Sequence, residues 1–122
     1  METDLFIFAN LAMDSLDYSG PAINEGSKGL LVGVGEPRRE LPMRFEGRLP
    51  AGVHAVAPYC GGCLTVAGPS YDEDPGYPEL LAPDPAIADW PLVVLVDDVA
   101  VAERNVSFLW TTFTRFEPAA DI

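Results

Sequence analysis

A chain of 122 residues amounts to one domain, long enough to bury a modest core. Its 48% hydrophobic content marks a globular protein and excludes a disordered tail. With 19 acidic against 7 basic residues the formal charge is −12, which argues against nucleic acid and anionic membrane surfaces as partners, because both select clustered lysine and arginine.

The run Leu5-Phe6-Ile7-Phe8-Ala9 is apolar, aromatic and β-branched, and predicts a buried strand. Asp14 to Gly26 is loop-like, crowded with Asp, Ser, Gly, Pro and Asn. Gly29 to Val34 predicts a second strand, closed by Gly35-Glu36-Pro37. Residues 36–50 read as loop or edge strand, and the arginines Arg38, Arg39, Arg44 and Arg48 within them as a solvated loop. Val53 to Ala57 and Leu64-Thr65-Val66 predict a third and a fourth strand on either side of a Gly61-Gly62 turn. Residues 68–89 carry five prolines among acidic side chains, which suits an ordered surface loop, one that could wrap a partner, with a single helical turn near Pro78 to Leu81.

Leu92 to Val96 is continuously apolar, the pattern of a parallel strand buried on both faces. Asp97-Asp98 ends it and suits turn and capping duty. Val106, Leu109, Trp110 and Phe113 then recur on one helical face, and Pro118 stops that helix. The expected fold is therefore α/β: a small mixed sheet, one main C-terminal amphipathic helix and long proline-rich loops. No run approaches the ~20 apolar residues that span a bilayer. The acidic start Met1-Glu2-Thr3-Asp4 lacks the basic beginning of an export signal, so the cytoplasm is the expected compartment.

Three motifs bear on chemistry. Cys60-Gly61-Gly62-Cys63 has the C-x-x-C spacing of thiol–disulfide exchange or of half a metal site, with His54 the one further ligand nearby in sequence. Its bland reading is a glycine hairpin flanked by two small buried thiols. His54 itself lies in an apolar strand pattern that favours a core or edge histidine. Gly26-Ser27-Lys28-Gly29 offers a lysine and backbone N–H groups to an anion, but lacks the spacing of a nucleotide loop. A free-standing homo-oligomer binding a metal or small molecule through Cys60, Cys63 and His54 is one functional reading.

Another comes from a resemblance. Leu92-Val93-Val94-Leu95-Val96-Asp97-Asp98-Val99, the Leu109-Trp110 pair, Thr114-Arg115-Phe116-Glu117-Pro118 and Asp121 resemble the C-terminal domain of UbiD-type decarboxylases. Leu16-Asp17-Tyr18, Pro21 and Gly26-Ser27-Lys28 are similar to that family's C-terminal tail. In single-chain members the tail follows the strand–helix segment, whereas here it precedes it, so either the order is permuted or the second match is chance. The resemblance covers about half of the chain, treated as a single UbiD C-terminal-like domain over residues 1–122.

It reaches none of the family's catalytic domains, so no catalytic residue is carried over. What it implies is a small accessory subunit that stabilises or completes a large UbiD-like catalytic subunit acting on an aromatic or unsaturated acid. Prenylated flavin mononucleotide and a divalent metal would then belong to the large subunit and not to this chain. Lys28 would approach that cofactor, and Trp110, Arg115 and Phe116 would lie at the interface.

Overall fold

In a computed structural model, residues 5–12, 22 and 25–122 are described. Leu16-Asp17-Tyr18 and Pro21, and most of the loop expected before Gly26, lie outside them. The elements comprise β1 (Leu5–Leu11), β2 (Gly26–Leu31), β3 (Ala55–Cys60), β4 (Cys63–Ala67), α1 (Tyr77–Leu81), β5 (Leu92–Leu95), α2 (Asn105–Phe113) and α3 (Pro118–Asp121). A 3-10 turn, Val99–Glu103, precedes α2. The α/β class is as expected, but the strands divide between a two-stranded ribbon, β1–β2, and a three-stranded mixed sheet in the order β3-β4-β5. Two compact units follow that division, one of residues 1–37 with 109–122 and one of residues 38–108.

In the larger unit β4 is the central strand, antiparallel to β3 and parallel to β5. All five of its residues are buried. Leu64 and Val66 project into a cluster with Tyr77, Leu81, Ile87 and Trp90, flanked by Phe45, Val53, Val56 and Val93. Burial of each such side chain stabilises the fold by about 1.5–3 kcal/mol. Thr65, equally buried, satisfies its hydroxyl by donating to the Ala57 carbonyl at 2.7 Å.

The proline-rich segment is largely the exposed loop its composition suggests, with the expected helical turn present as α1, but it also has a role in the core. It forms most of the crossover between parallel strands β4 and β5, and its Tyr77, Leu81 and Ile87 join Trp90 as one wall of the core. Successive tight turns, with Tyr77, Asp84, Ile87 and Trp90 N–H groups donating to Asp74, Leu81, Asp84 and Ile87 carbonyls, satisfy the backbone locally. Prolines are tolerated there because no strand ladder needs their missing donors. The acidic side chains serve the same turns. Glu73 accepts from the Ser70 N–H and hydroxyl at 2.9 and 3.0 Å, which holds its carboxyl below the ordinary range. Asp98 caps the 3-10 turn by accepting from the Ala100 N–H at 2.9 Å, the capping duty expected of the Asp97-Asp98 pair.

Tyr77 is the post of this core. Only 5% of it is exposed, and its hydroxyl donates to the Ala51 carbonyl at 2.9 Å. Two glycines make room for the ring: a Cβ at Gly68 would lie 2.8 Å, and one at Gly52 3.0 Å, from Tyr77 ring carbons. Gly68→Ala is expected to destabilise the chain by about 1–3 kcal/mol through overpacking, read as a lower urea midpoint at unchanged slope.

β5 is the edge strand of its sheet, so Leu92 and Leu95 are exposed and the expectation of burial on both faces does not hold. β2 begins three residues earlier than its apolar run suggests, and β3 begins and ends later. The partner strand sets these limits, since β1 and β4 supply the pairing groups. Pro118 opens α3 at its first position, where a missing N–H costs nothing, and α2 has already ended at Phe113.

Candidate partner interface

The ribbon pairs Phe6 with Leu30, Ile7 with Gly29 and Phe8 with Lys28. Directly opposed residues share a face, and residues two apart along a strand share it too. Phe6, Phe8, Lys28 and Leu30 thus line one face, and Ser27, Gly29 and Ile7 the other. A left-handed Asn10, at φ 57°, accommodates the irregularity that follows Phe8.

α3 occupies the second face. The glycine at position 29 lets Pro118 come close, 3.5 Å from where a Cβ would stand. Buried Ser27 accepts a hydrogen bond from the Ala119 N–H at 2.9 Å, capping α3 from 92 residues away. Asp121 closes the same turn by accepting from the Glu117 N–H at 2.7 Å. The Gly-Ser-Lys and Glu-Pro-x-x-Asp segments, singled out separately in the sequence, are therefore in direct contact. Ser27→Ala is expected to cost about 1 kcal/mol, as loss of a helix cap does, and to speed amide exchange at Ala119.

The first face is open. Phe6 and Phe8 are each 49% exposed and Leu30 is 51% exposed, with exposed Lys28 beside them. A two-stranded ribbon is marginally stable in water by itself, and apolar surface of this kind marks an interaction site. The apolar stripe of α2 is open as well. Val106, Leu109, Trp110 and Phe113 share a helical face as expected, but that face is exposed, Trp110 to 64%. Phe108 is the inward residue, 4% exposed and stacked on Tyr59 with ring centroids 3.6 Å apart. Of the other residues expected at an interface, Arg115 is exposed and Phe116 half-buried. Phe8 and Leu30 escape a linear reading because only strand pairing shows that they share a face.

The residues expected to bind metal are not brought together. Cys60 and Cys63 are opposed at the end of the β3–β4 ladder, Cys60 exposed and Cys63 buried, both free thiols. His54 lies beyond the other end of β3, six residues or about 20 Å away at ~3.3 Å per residue. It faces the acidic turn, close enough to help lower the Glu73 pKa. Among the described residues no three His, Cys, Asp or Glu side chains are grouped to hold a metal ion.

Burial, reinforced by the neighbouring Cys60, pushes the Cys63 thiol from its ordinary 9.0 to about 11. Above pH 9 the unfolded chain loses this proton first, while the folded chain keeps it. Stability is therefore expected to fall between pH 9.0 and about 11 on this account. The check is the urea midpoint at both ends of the window, with Cys63→Ala removing this part of the decline.

Comparison with known proteins places the chain beside larger ones. It is 43% identical over 122 residues to an uncharacterised protein of Chlamydia trachomatis serovar D. It is 41% identical over 122 residues to a Chlamydia pneumoniae protein named as a subunit of 4-hydroxybenzoate decarboxylase. An uncharacterised Chlamydia muridarum protein is 40% identical over the same length. Each alignment covers 99% of this chain but 20–21% of the relative, so the chain spans about a fifth of the length of the curated relatives it matches. No protein-family model matches the sequence, and no solved structure matches it. Among the described residues no helix is long and apolar enough to cross a membrane.

Proposed function

We propose that this chain is a non-catalytic accessory part of a UbiD-like decarboxylase or carboxylase, and that it completes and stabilises a larger catalytic part. The observation that carries this reading is the likeness along 99% of the chain to a protein named as a decarboxylase subunit, of which it spans 20%. The remaining four-fifths of such a protein is the natural cover for the open face of Phe6, Phe8 and Leu30. The substrate in this reading is an aromatic or unsaturated acid, with 4-hydroxybenzoate the first to try. Prenylated flavin mononucleotide and a divalent metal reside on the larger part, in the cytoplasm. Lys28, on the open face, is the residue that approaches that cofactor.

The test is native mass spectrometry of the tagged protein recovered from its own host, with absorbance and turnover measured on the same sample. The expected result is a species carrying a UbiD-like polypeptide several times larger than 13.1 kDa, flavin-derived absorbance and decarboxylation of 4-hydroxybenzoate. A homo-oligomer with no such polypeptide and with stoichiometric zinc overturns the reading. Lys28→Ala should lower cofactor content or turnover of the recovered species. If both stay unchanged, Lys28 has no part in the cofactor site.

A further inference from the structure

The Cys60-Gly61-Gly62-Cys63 turn takes no part in the docking reading, and its geometry stands independently of it. Cys60 and Cys63 form the last pair of the β3–β4 ladder. Opposed residues in an antiparallel ladder have Cα atoms about 4.5–5.5 Å apart. That falls within the ~4.4–6.8 Å a disulfide spans.

The turn between them is held on several sides. Gly62 has φ +79°, the value a type II turn demands at its second central residue. Its N–H donates to the Pro42 carbonyl at 2.9 Å, and its carbonyl accepts from the Leu92 N–H at 3.2 Å. Leu41, Met43 and Pro91 crowd the two glycines so closely that a Cβ would stand about 3 Å from each of them. The two thiols are thus kept opposite one another at the end of the ladder. One sulfur is exposed to solvent and the other is buried. A structural pair of core thiols would have both inside. A metal site would need further ligands, and the described residues group none around the pair.

We propose that Cys60 and Cys63 are a reversible redox pair, a modification site that a small-molecule disulfide such as oxidised glutathione converts to a hairpin disulfide. Exposed Cys60 loses its proton to solvent, and its thiolate attacks one glutathione sulfur. A Cys60–glutathione bond forms, the glutathione S–S bond breaks, and one glutathione thiolate leaves. The Cys63 sulfur then attacks the Cys60 sulfur, giving its proton to the second departing glutathione. Two protein thiols are oxidised to one disulfide, and one glutathione disulfide is reduced to two thiols. The direction of attack follows from access, since only Cys60 meets the reagent. Because one sulfur of the product remains at the surface, reduced glutathione can reverse the reaction.

The full chain, in whatever assembly it is purified with, is equilibrated in glutathione buffers from reduced to oxidised, acid-quenched, alkylated and mapped by peptide mass. At the reduced end both cysteines should be alkylated, with Cys60 reacting at least about tenfold faster than Cys63 at pH 8. At the oxidised end the peptide holding both should be lighter by two hydrogen atoms and carry no label. Cys63→Ser, and Cys63→Ala should the serine be poorly folded, should stop at the Cys60–glutathione adduct. Cys60→Ser should give neither product. Two alkylatable thiols at the oxidised end, or a bridge found only between chains, overturns the proposal.

Discussion

Tyr77→Ala should cost about 3–5 kcal/mol, the loss typical of truncating a buried aromatic. A single domain has only ~5–15 kcal/mol in hand, so much of the chain's stability goes with this one ring. The ring fills the space left by Gly52 and Gly68 and packs with Leu64, Val66, Leu81, Ile87 and Trp90. Nothing nearby can refill the cavity, because the crossover turns are tied by their own backbone bonds. Tyr77→Phe keeps the packing and removes only the bond to Ala51, so it should cost about 1 kcal/mol. Urea unfolding followed by tryptophan fluorescence separates the two. Trp90 lies in the same cluster and Trp110 is exposed, so the spectral change reports the core. Equal losses for the two variants would mean that the hydroxyl, and not the ring, holds the crossover.

Phe8→Ala should leave the isolated chain's urea midpoint nearly unchanged and, on the accessory role proposed above, weaken association with the larger part by ~30-fold or more, the effect of losing an aromatic anchor worth ~2 kcal/mol. About half of Phe8 is already in water, so truncation opens no cavity. Its worth appears only when a partner covers it, together with Phe6 and Leu30 across the ladder. Leu80→Ser is the control, an exposed apolar residue on α1 and not on the ribbon. Isothermal titration with the co-expressed larger part measures both. If Leu80→Ser weakens association as much as Phe8→Ala does, the ribbon face is not the docking surface.

Much of the architecture was legible without coordinates because short-range chemistry decides it. An apolar run of aromatic and β-branched residues marks β1, but the burial expected of it does not hold, because a two-stranded ribbon leaves Phe6, Ile7 and Phe8 exposed. Glycines mark the β3–β4 turn, and a continuous apolar run marks β5. Periodicity shows that Val106, Leu109, Trp110 and Phe113 share a face, but not whether that face points inward. In the structure Phe108 takes the inward side by stacking on Tyr59, and the stripe is left open. The segment 68–89 shows the same limit. Its composition matches a surface loop and most of it is exposed, yet Tyr77, Leu81 and Ile87 are buried at a spacing no helical or strand template detects.

The candidate sites divide in the same way. Cys60 and Cys63 meet because two glycines between them must turn, so their pairing was visible in four residues. His54 is near them in sequence, but an extended strand carries it to the far end of the sheet. Ser27 and Ala119 give no local sign of contact, and neither do Phe8 and Lys28 with their shared face. Sequence by itself determined element type and turn position, since these follow from backbone preferences and side-chain volume over a few residues. Tertiary structure decided which apolar faces are covered and which distant residues touch, because strand register and packing depend on partners 15 to 92 residues away along the chain.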